Sequence, residues 1–186
     1  MAAWSLIALL AACARTPLPP ATLQWLCMGT TAAVSAPHGE EARLQRIRAA
    51  AGETFAEIER DLSVFRPAST LAAINAAAGS GTPVPLGAHA AAAITLARDA
   101  AAAGNGAFDP TVGPLMTLWG FRGVPRNEPP DEAAIAAARA RVGWRAIRID
   151  TPADGTPAAS LERAGMALDL GGIAKGYAVD CAFDRL

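Results

Sequence analysis

The residues that most constrain the fold are Met166-Ala167-Leu168-Asp169-Leu170-Gly171-Gly172-Ile173-Ala174-Lys175-Gly176-Tyr177-Ala178-Val179-Asp180. A short apolar run, a double glycine and an amphipathic continuation spell strand, turn and helix. Asp169 is the one charge in the apolar run, and so close to the turn it needs a partner or a job. Gly171 and Gly172 remove side chains where something must approach the backbone. The helix expected over residues 173–186 would offer free amides and a partial positive charge at its start, a natural phosphate seat to which Lys175 adds a point charge. The same residues also describe a plain strand-to-helix turn with glycines for packing, and residue types alone do not separate the two. Neither a Walker A loop nor a G-x-G-x-x-G fingerprint occurs in the chain.

At 186 residues the chain can build one domain with a real core, or the larger part of two lobes. A formal net charge of -1 gives no electrostatic reason to expect nucleic acid. Hydrophobic residues make up 52% of the chain, a share inflated by alanine, and no apolar run is long enough to span a bilayer.

Residues 1–13, MAAWSLIALLAAC, resemble a bacterial lipoprotein signal: an apolar run, small residues, then a cysteine that becomes the lipidated first residue. No Lys or Arg precedes the run, and a buried apolar segment is the alternative. A Pro-rich linker, residues 14–22, follows. The expectation is export and lipidation at Cys13, on the periplasmic side of a bacterial cell membrane. Cys27 and Cys181 read as small buried hydrophobes, with a disulfide between them permitted and not argued for. His38 and His89 lack ligand partners at metal spacing and read as surface or cap residues.

Residues 22–36 read as a strand with a break at Gly29. Residues 40–62 place Leu44, Ile47, Ala51, Phe55, Ile58 and Leu62 on one stripe of a long helix. Pro67 interrupts, and Ser69 is a good N-cap for a short helix over 70–75. Phe65 lies at the exit of the long helix, where the residue type favours core over cleft. A short extended piece (82–86) and a second long helix (89–103) follow. Residues 104–121 hold too many glycines and prolines for a regular element, yet are too apolar for a flexible loop. They read as an ordered binding wall, or as a connector in which Asp109 caps the turn after Pro110. A third helix over 131–142 with Ile135, Ala138 and Val142 inward, a strand over 144–150, and a loop or hairpin over 151–165 complete the order. Without a regular βαβ period, the fold class is α+β.

Four stretches carry a resemblance. They are Met28-Gly29-Thr30; Leu62-Ser63-Val64-Phe65-Arg66-Pro67-Ala68-Ser69 with Asn75; Gly106-Ala107-Phe108-Asp109-Pro110-Thr111-Val112-Gly113-Pro114-Leu115 with Leu118-Trp119-Gly120-Phe121; and Asp169 through Asp180. Together and in this order they resemble the ApbE family, the FAD:protein FMN transferases. The resemblance implies an α+β flavin-transferase fold that binds FAD in a cleft. With Mg2+ it would transfer FMN to a Thr or Ser hydroxyl of a partner protein, releasing AMP, the partner being a subunit of a membrane redox complex. It further implies that Met28 and Phe65 contact the flavin, Phe65 standing where the family often has Tyr. Ala107, Phe108 and Asp109 would line the FAD site, Asp169 and Lys175 would hold the cofactor, and the backbone carbonyl of Gly172 would be one Mg2+ ligand. The family pattern continues with a second half that supplies acidic and Thr metal ligands and a His implicated in the chemistry. No such constellation occurs in these residues. Residues 23–186 are therefore expected to form the N-terminal part of the catalytic domain, with catalytic residues downstream of Leu186. A non-catalytic flavin-binding or scaffold module is the alternative.

Overall fold

The structure, a computed structural model, describes residues 18–151 and 155–186. The signal-like segment, Cys13 and residues 14–17 of the linker lie outside the described residues.

Two seven-residue strands, β1 (Ala21–Cys27) and β2 (Thr30–Ala36), form an antiparallel hairpin rather than one interrupted strand. The break at Gly29 is a reversal. Met28 and Gly29 form its two-residue loop with φ of 48° and 69°, the positive-φ geometry that matches strand twist. β1 begins inside the residues assigned to the linker, because Ala21 already pairs with Ala36.

α1 (Glu41–Leu62) is the hub, packing against the hairpin and against three helices, α2 (Thr70–Ala76), α3 (Ala88–Ala103) and α6 (Ala174–Asp184). The periodic stripe dictates this, with Leu44, Ala51, Phe55, Ile58 and Leu62 buried and Ile47 half-buried. Trp25 of β1 stacks on Phe55 with ring centroids 6.1 Å apart and so ties the hairpin to the helix. α2 (Thr70–Ala76) starts where Ser69 accepts the Ala72 amide at 3.0 Å, a cap contributing about 0.5–2 kcal/mol. α3 (Ala88–Ala103) has only Gly87 at its N-cap. Asp61, at the end of α1, supplies the missing acceptor: its carboxylate takes the Ala90 amide at 3.0 Å and also the Thr70 hydroxyl. One side chain thus joins the ends of three helices.

Residues 104–121 are ordered but not irregular throughout. They contain α4 (Gly113–Leu118), where Pro114 falls in the first turn and its missing N–H costs nothing. α5 (Glu132–Arg139) is capped by Asp131 and ends three residues before Val142. The expected strand over 144–150 opens instead as a 3-10 turn (Trp144–Ala146) before β4 (Ile147–Asp150). β5 (Ala158–Leu161) lies between β4 and the short β3 (Val84–Pro85) in an antiparallel sheet of order β3-β5-β4. Helices packed beside antiparallel strands make the chain α+β.

The apolar run over 166–170 departs most from expectation. It is extended and largely buried, with one isolated parallel bridge from Ala167 to Val112, and joins no sheet. Its backbone partners lie elsewhere. Leu168 N–H donates to the Asn75 side-chain oxygen, Asp169 N–H donates to Pro110 O at 2.7 Å, and Ala167 O accepts from Gly113 N–H at 3.1 Å. A buried backbone must pair with something, and here a side chain and a loop substitute for a neighbouring strand. The glycine turn then enters α6 (Ala174–Asp184).

Candidate functional site

A cleft of about 570 Å³ opens where the four sequence stretches meet. The hairpin loop contributes Met28 and Gly29, the exit of α1 contributes Glu59 and residues 62–66, the segment after α4 contributes Phe121 and Arg122, and the glycine turn with the start of α6 contributes Asp169, Leu170, Gly171, Ala174 and Lys175, but not Gly172. These segments lie far apart in the chain, and α1 brings them together by holding the hairpin at one side and α6 at the other.

Phe65 is 75% exposed on this cleft, so the core assignment favoured by its residue type does not hold. Pro67 ends the helical path, and Ser63 Oγ accepts the Phe65 amide at 3.2 Å, so the ring leaves the packed face of α1. Met28, Phe65, Asp169 and Lys175 therefore share one cavity.

Ala107, Phe108 and Asp109 are not among its walls. Phe108 packs behind the glycine turn: a Cβ built on Gly172 would stand 3.1 Å from its ring. Asp109 is occupied internally. One oxygen accepts the Thr111 amide at 2.8 Å and the Thr111 hydroxyl at 2.6 Å, and the other accepts the Trp144 amide at 3.0 Å. Thr111, fully buried, in turn accepts the Gly143 amide at 2.7 Å. Asp109 thus fixes the turn after Pro110, as the connector reading expected, and clamps it to the entry of β4.

Asp169 has a partner that sequence reasoning did not name. Arg122 Nε lies 3.1 Å and Nη2 2.5 Å from Asp169 Oδ2, and Nη2 also donates to Leu168 O at 3.1 Å. Asp169 Oδ1 accepts the Gly171 amide at 2.8 Å, and Lys175 Nζ donates to Gly171 O at 2.9 Å. The carboxylate therefore fixes the glycine turn from one side and the Arg122 loop from the other. A charge in an apolar segment announces a counter-ion, but nothing local in the sequence says which arginine.

His89 is more than a cap. Its Nδ1 lies 3.0 Å from the Tyr177 hydroxyl, and Glu57, on the next face of α1, bonds Arg185 at 2.6 Å. The hydrogen bond to Arg185 holds the Glu57 carboxyl below the usual carboxylate range. Burial, with Glu59 adding, pushes the Cys27 thiol up. Cys27 and Cys181 are both free thiols.

Mg2+ takes about six oxygen ligands. The Gly172 carbonyl could be one, but Asp169 is already bound to Arg122, and no group of three or more His, Cys, Asp or Glu side chains gathers among the described residues. These residues alone do not fit a Mg2+ site. Among them, too, no helix is long and apolar enough to cross a membrane.

The ApbE family model matches residues 28–186. The chain is 34% identical over 174 residues to the FAD:protein FMN transferase of Klebsiella pneumoniae (strain 342), covering 90% of this chain and 49% of that protein. It is 37% identical over 139 residues to the FAD:protein FMN transferase of Treponema pallidum (strain Nichols), covering 72% and 38%. Among solved structures, the flavin transferase ApbE from Vibrio cholerae matches with a TM-score of 0.76 at 27% identity, over 90% of this chain and 54% of that one. The ApbE protein from Thermotoga maritima matches with a TM-score of 0.77 at 29% identity, over 89% and 52%. The chain spans about half the length, or less, of these relatives. With the family's motifs converging on one cleft and its model matched over most of the sequence, the chain belongs to the ApbE family.

Proposed function

We propose that the chain supplies the flavin-binding cleft of an FAD:protein FMN transferase. The observation that carries this is the meeting of Met28, Phe65, Asp169 and Lys175, drawn from three of the four family motifs, in one cavity with an exposed aromatic ring on one wall and cations on another. The ring offers a stacking face to the flavin. Lys175 and the glycine turn offer charge and a close backbone to phosphate oxygens.

In the reaction, a Thr or Ser hydroxyl of a partner protein forms a bond to the FMN-side phosphorus of FAD. The bond from that phosphorus to the bridging oxygen breaks, AMP leaves with the bridging oxygen, and the hydroxyl proton is released. Positioning the diphosphate and neutralising its oxygens is the work such a transfer requires. Mg2+ belongs to this reading through the family resemblance, with the Gly172 carbonyl offering one ligand. So do lipidation at Cys13, a site on the periplasmic face of the membrane, and an acceptor within a membrane redox complex.

A second reading, a flavin-binding module without transfer, is supported by a cleft that offers a ring and cations while no group of three or more His, Cys, Asp or Glu gathers among the described residues. One assay separates them. The purified chain is given FAD, Mg2+ and a Thr-containing acceptor protein, and bound flavin, AMP release and acceptor mass are followed. A gain of FMN mass with AMP release supports transfer. FAD binding without AMP supports the module, and no FAD binding sinks both.

A further inference from the structure

Arg122 stands out in the cleft because three of its five donor N–H groups are used to hold it rather than to bind anything. Nε and Nη2 are committed to Asp169 Oδ2 and the Leu168 carbonyl, and the side chain is only 13% exposed. Its remaining nitrogen, Nη1, makes no hydrogen bond to a described residue. A guanidinium anchored at Nε and Nη2 loses little further freedom when Nη1 binds an oxygen, and a charge-assisted bond from Nη1 suits phosphate.

The charge around it points the same way. Arg66, Arg122 and Lys175 line the cleft against Glu59 and Asp169, leaving one positive charge in excess. Lys175 is the only lysine in the chain, and its ammonium is held by a neutral carbonyl rather than by a carboxylate. From Lys175 through Gly171 and Asp169 to Arg122 the contacts are continuous. A ligand oxygen placed over the glycine turn thus meets two fixed cations.

We propose that Arg122 is a binding residue of this cleft, presenting its free Nη1, beside Lys175, to the diphosphate of the ligand. This rests on the flavin-transferase reading and adds to it the residue that discriminates a diphosphate-bearing flavin from riboflavin. Asp169 acts here as the positioning residue, aiming Arg122.

The test uses the full chain and the variants Arg122→Gln and Arg122→Lys, with inorganic pyrophosphate, FAD and riboflavin as separate probes in calorimetric titrations. Arg122→Gln is expected to weaken pyrophosphate and FAD binding about tenfold or more while leaving riboflavin unchanged. Arg122→Lys, which keeps the charge against Asp169 but not the fork, is expected to fall between, and it decides the matter if Arg122→Gln does not fold. Pyrophosphate binding that depends on Arg122 without any FAD binding would uphold the anion site and remove the flavin reading. FAD binding equal in wild type and variants, or an equal loss for FAD and riboflavin, would overturn the role of Arg122 and leave that reading standing.

Discussion

The side-chain amide of Asn75 grips the backbone of Leu168 at both ends of one residue. Nδ2 donates to Leu168 O at 3.1 Å, and Leu168 N–H donates to Oδ1 at 2.7 Å. Leu168 is fully buried and belongs to no sheet, so Asn75 does for it what a neighbouring strand would do. Asn75→Ala orphans the Leu168 N–H, leaves Leu168 O to Arg122 Nη2 alone, and is expected to cost about 1–3 kcal/mol. Asn75→Asp keeps one acceptor and loses the donor, so it should also destabilise. Urea unfolding curves measure both. A midpoint unchanged in Asn75→Ala would mean that the segment is held by its loop contacts alone.

Close backbone approach makes a second, graded prediction. A Cβ on Gly113 would lie 2.5 Å from the Ala167 carbonyl oxygen, whereas one on Gly172 would lie 3.1 Å from a carbon of the Phe108 ring. The first obstacle is backbone and cannot turn aside. Gly113→Ala should therefore cost more than Gly172→Ala, roughly 1–3 kcal/mol for the overpacked site. Phe108→Leu should restore Gly172→Ala and not Gly113→Ala. Thermal melts of the three single variants and the two doubles decide this, and equal rescue of both glycine variants would show that the two contacts are not independent.

How much of this was legible in the sequence depended on range. α1, α2 and α3 could be read because their periodicity and the Ser69 cap are local, and Asp131 marks the start of α5 in the same way. Residues 166–170 looked like a strand because an apolar run does not reveal its partner, and that partner, Asn75, is 93 residues away. The same limit hid the Arg122 to Asp169 pair, 47 residues apart. Phe65 misled for another reason. The residue type of a single Phe favours a core, and only the path of the chain after Ser63 turns the ring outward.

Tyr177 gives a pH prediction that one probe can follow, because it is the only tyrosine in the chain. Burial, with the Cys181 thiol beside it and the charge of Asp61 adding, pushes its hydroxyl from 10.0 up to about 12. The folded state thus favours the neutral phenol. The stability this contributes is complete below pH 10 and is lost as pH rises from there toward 12. Tyrosinate absorbance should therefore remain slight in the native chain about a unit above the ordinary value of 10.0, where in urea it is nearly complete. A native midpoint equal to the urea midpoint would contradict the burial of the hydroxyl beside Cys181. His89→Ala, by opening the site, should lower the native midpoint.

Phe65 separates function from stability. Its ring is 75% exposed, so Phe65→Ala removes little packed surface and should change unfolding by less than about 0.5 kcal/mol. If the ring stacks on the flavin, the same change should weaken FAD binding by about 0.5–1.5 kcal/mol, the usual worth of an aromatic pair, and Phe65→Tyr should retain it. Flavin fluorescence quenching during titration measures the affinity and a urea curve the stability. A large stability loss would place the ring in the core after all. FAD affinity indifferent to Phe65→Ala would move the flavin away from this wall of the cleft, toward the glycine turn where Asp169 and Lys175 stand.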